Sequence, residues 1–224
     1  MTLDNDDLLN SILASLGRID NIKIEELPNI DLYMDQLTTF MDGRLLKTTR
    51  HPGEDKILTK TMINNYAKND LLPPPIRKKY SRDHVILLLF IYYYKSILSI
   101  NDIQTLLEPI KEKFQISEDE NWTLADIYKE IYEMEDEHLN SFRDDIIKNY
   151  EKSQSTFESA PEDEKDKLQM FAFISLLSYD VFLKKLIIEK MLDNAAMSGK
   201  SEEEMAKNDK KHKDKKKDKK SNKE

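Results

Sequence analysis

A chain of 224 residues with 35% charged side chains and only 4 glycines has the composition of a helical protein, which excludes turn-rich sandwiches and barrels. The absence of cysteine rules out disulfides, thiolate metal sites and thiol nucleophiles, and makes the reducing cytoplasm the expected compartment. A formal charge of −8 averages over opposite islands: residues 43–82 hold ten Lys or Arg against three acids, and 207–224 hold ten Lys against four, so the remainder is strongly acidic.

The first residues, MTLDNDDLLNS, lack the positive charge of a secretory signal. Leu8, Leu9, Ile12, Leu13 and Leu16 follow helical spacing, with Gly17 placed as a C-cap. Residues 1–30 therefore read as an extension whose short helix packs on the body; a partner-binding helix is the alternative. Pro28 and Asn29 mark a boundary, and residues 33–45 carry a second helical pattern with Tyr33, Leu37, Phe40 and Met41 on one side. Residues 46–58, interrupted by His51, Pro52 and Gly53, read as a long loop.

Thr59 is placed to cap a helix over 60–69, because its hydroxyl can accept from an unpaired backbone N–H. Ile63, Tyr66 and Ala67 point one way along that helix, and Thr61, Asn64, Asn65 and Lys68 point the other. The polar face suits a DNA groove: Asn can pair with both N6 and N7 of adenine, and Lys60 or Lys68 can neutralise a phosphate. An ordinary solvated helix face has the same composition.

The neighbouring segment is less ordinary. Pro73, Pro74 and Pro75 stiffen the chain before Arg77, Lys78, Lys79, Tyr80 and Arg82, giving an extended basic arm whose cations can displace counterions from phosphates. Tyr80 fits either a contact from that arm or an anchor that packs the arm onto the body. Ser81 then caps a helix over 82–95, with Val85, Leu88, Leu89, Tyr92 and Tyr93 as its packing stripe. Ser99 and Asp102 have capping-box spacing and open a further helix toward Pro109.

These residues together resemble the N-terminal winged helix-turn-helix of MerR-type regulators. The resemblance rests on Ile63 with Tyr66, Leu71-Leu72-Pro73-Pro74, Arg77 with Tyr80, and Ser99 to Leu107, and covers about 33–110. YMDQLTTFMDGRL, TKTMINNY and PPPIRKKYS are similar, more closely still, to the bacterial domain of unknown function numbered eighteen thirty-six. The first likeness implies double-stranded DNA as partner and a homodimer as the acting unit. The chain departs from the MerR-type pattern in its loop 46–58, which replaces a tight turn, and in the second helix, where Asn64 stands in place of the usual arginine and Asp70 in place of the glycine before Leu71-Leu72.

Beyond residue 112 the sequence is acidic and helical. Ser117 with Glu120 has capping-box spacing, and a long helix is expected from about 118–122 to Tyr150. Glu135 and His138 form a Glu-x-x-His pair of the kind di-iron bundles use twice, but no second pair occurs in the sequence. A hydrogen-bonded Glu–His edge is the alternative. Ser159, Pro161 and Glu162 open a last helix to about Ala196. Its apolar residues from Met170 to Leu192 spread over more than one face and need cover from the monomer, a second copy or a ligand. From Ser198 onward lysines dominate and disorder is expected.

The expectation is thus an all-α protein: an extension at 1–30, a MerR-like winged helix at 31–112, a helical dimerisation or effector region at 117–197, and a disordered lysine-rich tail at 198–224. No phosphate loop, nucleophile elbow or clustered histidine set argues for an enzyme, and no cofactor or metal is expected. Neither apolar run, Val85 to Leu98 or Met170 to Phe182, reaches the ~20 residues of a membrane span. DNA-binding regulation is the leading function, with Lys60, Thr61, Asn64, Asn65, Lys68, Arg77, Lys78, Lys79, Tyr80 and Arg82 as contacts. A protein-interaction module built on the same residues is the alternative, and an effector ligand or protein stays open.

Overall fold

The computed structural model describes residues 5–16, 22–115 and 122–221, with side chains as far as Ala195. Its α-helices are α1 (Asn5–Leu16), α2 (Met34–Leu45), α3 (Lys60–Lys68), α4 (Arg82–Tyr94), α5 (Ile100–Lys111), α6 (Leu124–Gln154) and α7 (Glu162–Ser221). Two short strands, β1 (Leu32–Tyr33) and β2 (Lys79–Tyr80), pair antiparallel with Leu32 opposite Tyr80 and Tyr33 opposite Lys79. Among the described residues, no helix is long and apolar enough to cross a membrane.

The fold is built around α4. His84 through Ile91 are buried without interruption, so this helix is covered on every side, whereas its spacing predicts a single packing stripe. A helix surrounded by neighbours can be apolar all round, and burying each of its large aliphatic side chains contributes roughly 1.5–3 kcal/mol. Leu37, Met41 and Leu45 from α2, Ile63 and Tyr66 from α3, Leu71 and Leu72, and Ile103 and Leu107 from α5 join it in one core. That core also takes in Leu124 and Tyr128 of α6 and Leu192 of α7. The regions drawn apart at residue 112 therefore share one hydrophobic interior.

Local chemistry sets the helix starts. Thr59 accepts from the Met62 N–H at 3.1 Å, and Ser99 accepts from the Asp102 N–H at 3.2 Å while Asp102 Oδ2 accepts from the Ser99 hydroxyl at 2.7 Å. Thr123, not a residue between 118 and 122, caps α6, accepting from the Asp126 N–H at 3.3 Å. Ser117 and Glu120 lie outside the described residues, as does Gly17. Tyr33 is extended, exposed and precedes α2; the apolar spacing that assigns it to a helix coincides with its strand pairing.

Segment 22–27 is strapped across the core. Ile22 and Leu27 are buried, Tyr128 donates its hydroxyl to the Ile22 carbonyl at 2.6 Å, and Arg44 meets Glu26 at 2.9 Å. A second, smaller core gathers Leu9 of α1, Tyr150 of α6 and Phe173 of α7, so α1 docks on the α6–α7 pair. The backbone of α7 is helical through the lysine-rich segment to Ser221. Lysine and glutamate sit comfortably in helices, which accounts for helical backbone where a packed core has no apolar residues to build on.

Candidate nucleic-acid interface

α3 is a short helix with two opposed faces. Ile63 and Tyr66 are buried, and Lys60, Thr61, Asn64, Asn65 and Lys68 line the other side. Asp70 closes the helix at φ +54°, and the Leu71 N–H returns to the Tyr66 carbonyl at 3.0 Å, a left-handed closure that usually recruits glycine. Lys111 of α5 steadies this corner by donating to the Asp70 carbonyl at 2.9 Å. Lys60 is ion-paired with Asp35 of α2, so part of its charge is already answered.

Residues 71–82 form a tight hairpin, not the open arm that three prolines predict. The Ile76 N–H donates to the Lys79 carbonyl at 3.1 Å and the Lys79 N–H donates back to the Ile76 carbonyl at 2.9 Å. Arg77 and Lys78 make the two-residue turn with φ +51° and +66°. This is the mirror-image turn that matches strand twist, and its usual residues are Asn and Gly. Here the two left-handed positions hold long cationic side chains, both exposed.

The hairpin is fixed at its base. Tyr80 is only 3% exposed, with its ring edge-on to His84 at 5.3 Å between centroids, so it is the anchor and not an outward contact. Lys79 lies over the Tyr33 ring at 5.4 Å. Arg82 turns back from the tip and donates to the Ile24 carbonyl, which leaves Arg77, Lys78 and Lys79 as the basic groups of the hairpin. Beneath them, His84 Nδ1 accepts from the Ser81 N–H at 2.9 Å and its ring packs edge-on against Phe114 at 4.7 Å. Burial holds the His84 pKa below its ordinary value.

Both pieces rest on α2: α3 and β2 each pack against it, and the connection between them is only residues 69–78. Strand β1 carries no sequence signal because two residues show no period. Positive φ at Arg77 and Lys78 is equally hidden, since no glycine or asparagine marks the turn.

The Glu135/His138 pair takes a different role. Glu135 lines a small cleft with Tyr93, Tyr94 and Tyr128, where burial raises its carboxyl pKa, and His138 Nδ1 meets the Ser141 hydroxyl at 3.3 Å. No cluster of three metal-ligating side chains occurs among the described residues.

A family model described as a domain of unknown function (DUF1836) matches residues 22–134. The chain belongs to this family. The match spans the shared core from the strapped segment through the first third of α6 and takes in α3 and the hairpin. No curated protein and no solved structure matches the chain.

Proposed function

We propose that this DUF1836 protein binds double-stranded DNA as a transcriptional regulator, with α3 in a major groove and the hairpin tip on flanking phosphates. The observation that carries the reading is the tip itself: two exposed cations, Arg77 and Lys78, held in left-handed backbone. Strain of this kind gathers at ligand clamps and other working sites. A helix followed by a basic hairpin is the winged arrangement that the MerR-type resemblance implies, and Asn64 and Asn65 are the exposed groups able to read adenine. Lys68, Lys79 and Thr61 supply further backbone contacts. Tyr80 and Arg82 support the wing from inside.

The test is selection from random duplex DNA with the full chain, followed by affinity at several salt concentrations for wild type, R77A/K78A and N64A. Salt-dependent, site-selective binding is expected. R77A/K78A should weaken binding on all sequences and reduce the salt slope by roughly 1 per lost phosphate contact, and N64A should lose about 1–3 kcal/mol on the selected site alone. Equal losses for N64A on selected and random DNA sink its base-reading role. No selection at all sinks the regulator reading and turns attention to a protein partner for the same surface.

A further inference from the structure

We infer that the cleft between α4 and α6 binds the ammonium end of an aliphatic di- or polyamine, seated among tyrosine rings beside the Glu135 carboxylate. Phe90, Tyr93 and Tyr94 of α4 and Tyr128, Tyr132 and Glu135 of α6 line it. Phe90 stacks on Tyr94 at 5.9 Å and 11°, and meets Tyr128 at 5.8 Å and 63°, so these rings are set firmly against one another. Tyr128 donates its hydroxyl to the Ile22 carbonyl at 2.6 Å and cannot donate it to a ligand as well. Burial and the charge of Glu135 push the Tyr93 hydroxyl pKa up to about 12, which keeps that group neutral. Glu135 is exposed as a residue, yet desolvation still raises its carboxyl pKa, so it stands at the mouth of the cleft.

This lining selects the ligand by charge. An anion meets a carboxylate and the negative faces of aromatic rings, whereas a cation is attracted to both. The same stretch of chain already shows the pairing: the Lys95 ammonium lies over the Tyr92 ring at 5.0 Å, and Tyr92 packs edge-on against Tyr93 at 5.4 Å. Size narrows the choice. The cleft has room for about 20 Å³, enough for one group the size of a water molecule, which suits a primary ammonium and is too small for a quaternary one. Glu135 also lines a wider, open hollow of about 430 Å³ with Met134, Glu137 and His138. Met134, 63% exposed, offers apolar surface to a methylene chain, and Glu137 supplies a second carboxylate for a second ammonium. A narrow seat beside one carboxylate and an open hollow beside another together specify a linear amine with more than one charge, whether or not the hairpin binds DNA.

The test is calorimetric titration of the full-length protein with diaminobutane, which should bind saturably. Butanediol, of the same length without charge, and tetramethylammonium, charged but too large for the cleft, should each bind roughly tenfold or more weakly. E135Q keeps the size of the side chain and should lower the diamine affinity by roughly tenfold or more. Y132L removes one ring and should lower it several-fold, with helical circular dichroism intact in both variants. The ligand series needs only the wild-type chain, so it decides the proposal even where Y132L fails to fold. Butanediol binding as tightly as the diamine overturns the role of charge, and tetramethylammonium doing so overturns the seat for a primary ammonium. Sodium chloride that displaces the diamine at equal concentration overturns the choice of an amine. Diamine affinity unchanged in E135Q, or no saturable binding at all, overturns the site.

Discussion

Replacing Lys78 by glycine is expected to stabilise the fold and weaken DNA binding at the same time. Lys78 holds φ +66° beside Arg77 at φ +51°, a conformation that costs an L side chain roughly 1–2 kcal/mol. Glycine escapes that cost but loses about 0.5–1 kcal/mol more through backbone freedom on folding. The difference is a gain of about 0.5–1 kcal/mol, equivalent to roughly 1–4 °C in Tm for a chain of this size. Urea denaturation of the full chain, monitored by circular dichroism, measures it for K78G and for R77N/K78G, which installs the preferred Asn-Gly turn. Loss of stability in K78G refutes the strain argument, because the lysine would then be held by contacts that outweigh its backbone. Gain of stability with unchanged DNA affinity at low salt refutes the placement of the tip on phosphates.

Three further outcomes test the scaffold. Burial lowers the His84 pKa, outweighing the nearby Pro74 and Pro73 backbone and the charges of Asp83 and Asp31 that favour the cation. The unfolded chain then binds the proton first as pH falls, so His84's contribution is full above its ordinary value near ~6.5 and declines below it; urea titrations at about pH 7.5, 6.5 and 5.5 should show the decline, and H84F should flatten it. T59A removes the cap of α3 and should cost about 1 kcal/mol, read by the urea midpoint, with α3 fraying and DNA affinity falling alongside. Y128F removes the buried hydroxyl that reaches the Ile22 carbonyl at 2.6 Å and should cost roughly 1–3 kcal/mol, with hydrogen exchange accelerating in residues 22–27.

The helices are legible in the sequence because their signals are local. Thr59, Ser81 and Ser99 announce starts by capping chemistry, and Ile63 with Tyr66 against Asn64 with Asn65 divides α3 by spacing alone. The hairpin is legible only as a stiff basic segment: three prolines exclude helix, but nothing in Arg77-Lys78 marks a left-handed turn. Tyr33 is misplaced by its spacing for a related reason, since its pairing with Lys79 is made across residues 33–79 and leaves no trace in neighbouring positions. The roles of Tyr80 and Arg82 depend on where Ile24 and His84 arrive in space. That information is tertiary.

The burial beneath the hairpin explains how a strained tip can persist. Two left-handed side-chain positions together cost roughly 2–4 kcal/mol, and the two hydrogen bonds between Ile76 and Lys79 offset only part of that. The rest of the compensation lies below: Tyr80 is sunk against His84, which caps α4, and α4 is the most deeply buried helix among the described residues. Loosening the hairpin therefore requires disturbing the centre of the fold, so the backbone that carries Arg77 and Lys78 is ordered before any partner arrives. A rigid display of cations lowers the ordering cost of binding. The same burial makes the wing a poor candidate for a switch.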